Sequence, residues 1–415
     1  MVEVREEMEK VPRALLVGEP GNDLLELKGL VHTLGYEVIQ RLTLTRLEVH
    51  PAYGMGTGKA EEINELAHSI EADCIIFDFN LEPRKQRNWE ELTGLSCFDR
   101  QEVIIRIFAN RAQTKEAVLQ VNLARLQYSL PRLAHMNKDL SRQRGGAFGN
   151  KGSGETQLEL DSRKVREKIQ GIKKELLEVE VNRQTQRKSR GKYPTCALVG
   201  YTNAGKSSLL NALTGAEAFV EDQLFATLDP LTKKLPLNEG SAVLITDTVG
   251  FISNLPHSLI DAFKSTLEEA TYADLLLIVL DSSDPDALDQ YETVCDVLEE
   301  IGADKNPRLI LLNKFDKSKD IAEENLQKLR LKFPEALCVS AKDQWGFDEL
   351  KDKIYEILLG DISEYIIPMN QTVLINELKK SGCIEKEEWL DDGVHVTARA
   401  TGRLLALLTP FNTEK

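Results

Sequence analysis

The most informative segment of this chain for its fold is Cys196-Ala-Leu-Val-Gly-Tyr-Thr-Asn-Ala-Gly-Lys-Ser-Ser-Leu-Leu-Asn-Ala-Leu213. Its apolar beginning predicts a buried strand, and the residues from Ser208 onward have the pattern of a helix. Between the two, residues 200–207 have the GxxxxGKS spacing of a loop that wraps phosphates. A strand, this loop and a helix in that order predict an α/β domain that binds a nucleotide.

Each part of this loop has a chemical role. Successive backbone N–H groups and the helix N-terminus can hold the α- and β-phosphates. The Lys206 ammonium can reach the β- and γ-phosphates, and the Ser207 hydroxyl can bind Mg²⁺. Because phosphate loops occur in several classes of nucleotide enzyme, the base has to be inferred from other segments.

A second motif follows the strand-like run Ala242-Val-Leu-Ile245. It reads Asp247-Thr-Val-Gly250, where a carboxylate at a strand end can hold Mg²⁺ through water and the Gly250 N–H can face a γ-phosphate. The next residue is Phe251, which has no side-chain donor or acceptor at a position where GTPases place a Gln that orients the attacking water. We therefore expect slow intrinsic hydrolysis.

Two further motifs address the base. Asn313-Lys-Phe-Asp316 follows a strand-like run, and its Asp can accept hydrogen bonds from N1–H and the 2-amino group of guanine. Ser340-Ala-Lys342 follows another, and its backbone amide can address guanine O6. Four motifs at the carboxyl ends of strands, where α/β proteins bind ligands, predict specificity for GTP. The predicted nucleotide-binding residues are Gly200, Tyr201, Thr202, Asn203, Ala204, Gly205, Lys206, Ser207, Ser208, Asp247, Gly250, Asn313, Lys314, Asp316, Ser340, Ala341 and Lys342.

Charge is distributed unevenly along the 415 residues. Residues 1–108 carry 12 Lys and Arg against 20 Asp and Glu, a net charge of −8. Residues 109–191 carry 18 against 9, a net charge of +9, and residues 192–415 carry 22 against 38, a net charge of −16. The basic block suggests contact with an anionic partner such as RNA, and the alternative is a solvated helical surface.

The basic block also has helical periodicity. Leu119, Leu123, Leu126 and Leu130 are spaced for one helix face, and a heptad seam continues from Leu158 to Val179. We expect two long helices packed as an antiparallel hairpin. A Gly-rich stretch, residues 145–154, separates them and is either a connector or a loop whose backbone approaches a ligand closely.

Ahead of the hairpin, apolar runs alternate with helical ones and predict a small α/β domain. The predicted elements are Ala14–Gly18, Leu24–Leu34, Tyr36–Gln40, Ala60–Ile70, Asp73–Phe79 and Val103–Phe108. The segment Gly54-Met-Gly-Thr-Gly-Lys59 resembles a phosphate loop but lacks its spacing, so we interpret it as a strand-to-helix turn rather than a second nucleotide site.

After Asp361 the sequence predicts a strand at Tyr365–Pro368, a helix at Val373–Lys380 and strands around Val394–Ala398 and Leu404–Leu408. The predicted fold is therefore multi-domain α/β. Its parts are a small α/β N-terminal domain (1–108), an antiparallel helical hairpin (109–191), a P-loop domain with a mostly parallel sheet (192–362) and a small α+β appendage (363–415).

Cellular context is inferred from what the sequence contains. Its six cysteines are scattered without metal-ligand spacing, and the acidic residues 1–11 differ from a signal peptide. The most apolar run, Leu275–Leu280, is too short to span a membrane. We expect a cytoplasmic protein without a membrane span, and a monomer.

Four features together resemble the HflX family of P-loop GTPases. They are Gly154-Glu-Thr-Gln-Leu-Glu159, Gln223-Leu-Phe-Ala-Thr-Leu-Asp-Pro230, Asp247-Thr-Val-Gly-Phe251 with Leu255-Pro-His257, and the basic hairpin. The resemblance covers about residues 13–362. It places Thr227 at the family's first-switch threonine, which implies contact with Mg²⁺ and the γ-phosphate in the GTP state. Lys206, Thr227 and Gly250 are then the implied catalytic residues, and Ser207, Thr227 and Asp247 the implied Mg²⁺ ligands.

The resemblance also implies a function. It is Mg²⁺-dependent GTP hydrolysis coupled to binding of the large ribosomal subunit, through the N-terminal domain and residues 109–191, and to dissociation of stalled or stressed ribosomes. By analogy with related GTPases, Asn203 is a candidate for holding K⁺ near the phosphates. Two alternatives stay open: a GTPase of ribosome assembly or tRNA modification, and a GTP-dependent RNA-binding module with negligible turnover.

Overall fold

The computed structural model describes most of the chain in two compact units, which are treated separately below. The first comprises Met1–Val179 with Glu221–Leu228 and Asn254–Phe263, and the second comprises the rest. The described residues are 11–46, 50–136, 157–189, 193–215, 224–225, 228–237, 241–253, 259, 267–317, 323–360, 362–381, 384–390, 392–400 and 402–413.

The first unit begins with alternating strands and helices. They are β1 (Arg13–Gly18), α1 (Leu25–Thr33), β2 (Glu37–Thr43), α2 (Thr57–Ser69), β3 (Cys74–Phe77), α3 (Pro83–Thr93), β4 (Ser96–Asp99) and α4 (Arg100–Arg111). The strands form a parallel sheet of order β2-β1-β3-β4. Apolar runs such as Leu15–Val17 and Ile75–Phe77 are buried on this sheet, as expected where helices cover a parallel sheet.

Two elements of this sheet domain are absent from the expected set, namely α3 and β4. Helix α3 is strongly polar, with Trp89 and Leu92 as its large apolar residues, and β4 has only four residues, so neither contains an extended apolar run. The Gly54–Lys59 segment forms a turn with Gly54 at φ +77° and enters α2 at Thr57.

The basic region contains two long helices, α5 (Lys115–Met136) and α6 (Gln157–Ser189). Leu123 and Ile169, from the predicted seams, are buried. The Lys115 ammonium at the start of α5 lies 3.7 Å from the Glu175 carboxylate in the second half of α6. The Gly-rich stretch that separates the two predicted helices lies outside the described residues.

The second unit contains a six-stranded sheet with flanking helices. Its elements are β5 (Thr195–Gly200), α7 (Lys206–Thr214), β6 (Leu231–Pro236), β7 (Ala242–Asp247), β8 (Leu275–Asp281), α8 (Ala287–Glu300), β9 (Arg308–Asn313), α9 (Glu323–Lys332), β10 (Leu337–Cys338) and α10 (Phe347–Leu359). The strand order is β10-β9-β8-β5-β7-β6, and only the β6–β7 pair is antiparallel within it. The mostly parallel sheet with a P-loop confirms the predicted fold class.

A smaller antiparallel sheet follows in the same unit. It consists of β11 (Ile362–Ile367), β12 (Ile384–Leu390) and β13 (Gly393–Arg399), in the order β11-β13-β12, with the helices α11 (Thr372–Ser381) and α12 (Gly402–Leu408). The strand predicted around Leu404–Leu408 is wrong, because this segment is helical. Its Leu, Ala and Arg residues are good helix formers, and Leu408 is buried in the small core.

No helix in the described ranges is both long enough and apolar enough to cross a membrane.

Candidate nucleotide-binding site

The phosphate loop connects the end of β5 to the start of α7, and its glycines are required by close approaches. Gly205 has φ +92°, and a Cβ there would lie 2.3 Å from the Asn313 amide nitrogen. Gly200 approaches the Val279 carbonyl, which a Cβ would meet at 2.3 Å. A side chain at either position would displace backbone or a neighbouring motif, so the loop can take this course only with glycine.

Lys206 is buried at the first turn of α7. Its ammonium donates hydrogen bonds to the carbonyls of Gly200 and Tyr201, at 3.1 and 2.8 Å. Burial lowers the pKa of Lys206 to about 8, and the nearby Asp247 carboxylate opposes this effect only partly. An anion placed beside the ammonium would stabilise its charged form, as expected for a residue that binds phosphate.

The two described residues predicted to bind the metal lie side by side. The Ser207 hydroxyl donates to a carboxylate oxygen of Asp247 at 2.6 Å, and Asp247 is fully buried at the end of β7. The third predicted ligand, Thr227, lies outside the described residues.

The segment after Asp247 is held against the phosphate loop by its backbone. The Phe251 N–H donates to the Gly200 carbonyl at 3.1 Å, and the Thr202 N–H donates to the Phe251 carbonyl at 2.7 Å. Phe251 itself is 1% exposed, so its ring packs in the interior. A Cβ on Gly250 would lie 2.9 Å from the Cα of Thr202, which leaves room only for glycine between the two segments.

The predicted base-recognition motifs are joined to the phosphate loop by Asn313. Its side-chain amide donates to the Ala204 carbonyl at 2.8 Å, and its amide oxygen accepts from the Ala341 N–H at 3.2 Å. The Ser340 hydroxyl donates to the Asp316 carboxylate at 2.9 Å. The side chains of Asn313 and Ser340 therefore connect three loops at one edge of the sheet by hydrogen bonds: the phosphate loop, the loop after β9 and the loop after β10.

Two residues near the site were not expected to contribute to it. Asp281, at the end of β8, forms an ion pair with the Lys314 ammonium at 2.8 Å. Trp345 is 48% exposed and stacks on Phe315 with ring centroids 4.7 Å apart. The position of Asp281 at a strand end is a signal that could have identified it, whereas the Trp345 stack depends on loop geometry.

The structure brings the described members of the predicted site to one edge of the six-stranded sheet. Ser208 continues α7 after Ser207, Asn203 has φ +61°, and the Lys342 side chain is exposed. His257, which we interpret as a structural residue, lies outside the described part of the chain.

Comparison with known proteins gives three family matches in chain order. The models are described as "GTP-binding GTPase N-terminal" over residues 21–109, "GTP-binding GTPase Middle Region" over residues 111–190 and "50S ribosome-binding GTPase" over residues 195–314.

Curated relatives match over nearly the full length. GTPase HflX of Akkermansia muciniphila is 43% identical over 420 residues, covering 96% of this chain and 96% of the relative. GTPase HflX of Caldanaerobacter subterraneus subsp. tengcongensis is 41% identical over 417 residues, covering 99% and 95%. GTPase HflX of Escherichia coli K12 is 40% identical over 375 residues, covering 89% and 88%. With these identities and the P-loop geometry above, the chain belongs to the HflX family of GTPases and hydrolyses GTP.

Proposed function

We propose that this GTPase is a Mg²⁺-dependent switch that binds the large ribosomal subunit and dissociates stalled or stressed ribosomes. The observation that carries the proposal is the basic surface of α6. Six of its cationic side chains are exposed within three helical turns, and they are Arg163, Lys164, Arg166, Lys168, Lys173 and Lys174. Ile169, between them, is buried, so these cationic side chains lie on the exposed side of the helix, where a phosphate backbone could contact them. Lys164 also lies 3.6 Å from the Asp161 carboxylate.

Two further features support this partner. The matched model over residues 195–314 describes a ribosome-binding GTPase. The net charge of −15 disfavours contact with a polyanion over the protein as a whole, so the basic segment is the part of the chain that favours contact with RNA. We propose that residues 109–191, with the N-terminal domain, form the ribosome-facing part. Arg142, Arg144 and Lys151, which flank the Gly-rich stretch in sequence and which we propose also contact RNA phosphates, lie outside the described residues.

The donor set of the site fits Mg²⁺. A serine hydroxyl and a carboxylate are hard oxygen ligands, and Ser207 and Asp247 already lie within hydrogen-bond distance of each other. We propose that they hold the ion together with Thr227. The bound ion would neutralise charge on the β- and γ-phosphates.

The other residues of the site bind and orient the nucleotide. Lys206 supplies a positive charge at the phosphates, the Gly250 N–H can donate to the γ-phosphate, and Asp316 and Ala341 read the guanine. Because the Phe251 ring is buried and has no polar group, it cannot orient the attacking water. We propose that ribosome binding supplies what is missing, and that Asn203 holds K⁺ beside the phosphates.

Ribosome dissociation by the purified protein tests this proposal. Light scattering of intact ribosomes should fall when the protein and a GTP analogue are added, and it should stay constant with GDP. Asp316→Asn, assayed with the GTP analogue, is the matched control because it loses the guanine contact without altering the α6 surface. Equal scattering with the GTP analogue and with GDP would contradict the proposed switch.

A further inference from the structure

The hydroxyl of Thr202, in the phosphate loop, is a buried polar group without a protein partner in the described part of the chain. Thr202 is 6% exposed, and its Oγ1 makes no hydrogen bond to any of those residues. Buried hydroxyls are normally paired, because leaving one unpaired is unfavourable. By contrast, the buried Thr248 hydroxyl donates to the Leu198 carbonyl at 2.7 Å. Of these two hydroxyls, the one on Thr202 lacks a hydrogen-bond partner among the described residues.

Thr202 lies beside two residues that are proposed above to contact the γ-phosphate, Gly250 and Lys206. A Cβ built on Gly250 would be 2.9 Å from the Thr202 methyl carbon and 3.0 Å from the Lys206 ammonium. The three residues thus surround one small region of the site. Thr202 and Lys206 are each 6% exposed, so the two residues are buried to the same extent in the phosphate loop.

We propose that the Thr202 hydroxyl is a catalytic group that donates a hydrogen bond to a γ-phosphoryl oxygen of bound GTP. The contact satisfies the unpaired hydroxyl, and a donor to an anionic oxygen is stronger than one between neutral groups. Charge on the equatorial oxygens is stabilised during phosphoryl transfer by such preorganised donors. Since GDP has no γ-phosphoryl group, the contact favours GTP over GDP.

Thr202→Val tests the proposal because it removes the hydroxyl with little change in shape. We expect GDP affinity within about twofold of wild type, and single-turnover GTP hydrolysis slower by about 10- to 100-fold, the range for a lost hydrogen bond to a charged group. Affinity for a non-hydrolysable GTP analogue should fall in the same variant. Thr202→Ser keeps the hydroxyl and should retain hydrolysis within about threefold.

Thermal unfolding distinguishes this role from a structural one. Thr202→Val should leave Tm unchanged or raise it, because it removes an unpaired hydroxyl, whereas Thr248→Val should lower Tm by removing a paired one. Hydrolysis at the wild-type rate in Thr202→Val would overturn the proposal. So would an equal loss of affinity for GDP and for the GTP analogue, or failure of Thr202→Ser to restore hydrolysis.

Discussion

Binding of a nucleoside diphosphate should take up a proton, because Lys206 is a buried amine. With only protein groups around it, the pKa of Lys206 is about 8, and burial is the main cause. A diphosphate beside the ammonium restores the pKa toward its usual value of about 10.4. Between these two pH values the complex therefore binds one more proton than the free protein.

The size of the effect follows from the fraction of charged amine in the free protein. That fraction is about 0.9 at pH 7 and about 0.1 at pH 9 for a pKa near 8, so GDP affinity should fall about tenfold across this interval. The stability of the free protein changes with pH in the opposite direction to GDP affinity. The folded free protein binds fewer protons than the unfolded chain above pH 8, so its own stability rises as the pH passes from about 8 to about 10.

Isothermal titration calorimetry in two buffers with different ionisation enthalpies measures the uptake directly. At pH 8.5 we expect about 0.7 proton per GDP. GMP is the matched control ligand, because it lacks the β-phosphate that Lys206 is predicted to contact, and its binding should be accompanied by no proton uptake. Equal proton uptake for GDP and GMP, or a GDP affinity that stays constant from pH 7 to 9, would refute the reasoning.

Three other outcomes are expected. Asp316→Asn should shift preference from GTP toward XTP, because a carboxamide can donate to the 2-carbonyl of xanthine, and unchanged GTP affinity would be inconsistent with the assigned role. GTP hydrolysis on ribosomes should be faster in K⁺ than in Na⁺, and equal rates would exclude a cation at Asn203. Replacing Arg163, Lys164 and Arg166 with Gln should make ribosome binding less sensitive to salt, while GTP binding is retained. The slope of log affinity against log salt concentration should become shallower by about 0.7–0.9 for each lost phosphate contact. An unaltered salt slope would mean that this surface is only solvated.

The placement of the predicted nucleotide-binding residues at one sheet edge could be predicted because each motif follows a strand of a parallel sheet. The carboxyl ends of such strands meet at one edge, so Lys206, Asp247 and Asp316 had to be neighbours once the strands were identified. The order of the strands and the residue types that follow them were therefore enough to predict which described residues lie together at this edge.

What escaped prediction depends on contacts distant in sequence or on weak local patterns. The pairing of β12 with β13 overrides a charged sequence, Glu385-Lys-Glu-Glu388, that does not suggest a strand. The stack of Trp345 on Phe315 arises because backbone hydrogen bonds between Ser340 and Trp345 close a loop. Likewise, the absence of a described partner for Thr202 is a property of packing that no spacing rule encodes.

Stimulation of GTP hydrolysis by the isolated large ribosomal subunit tests the central claim most directly. The measurement is the multiple-turnover rate of phosphate release by the full chain, alone and with either purified subunit. We predict slow hydrolysis alone, because Phe251 cannot orient water, and a rate that rises with the large subunit but not with the small one. The same rate in all three conditions would contradict the proposed ribosome-dependent switch.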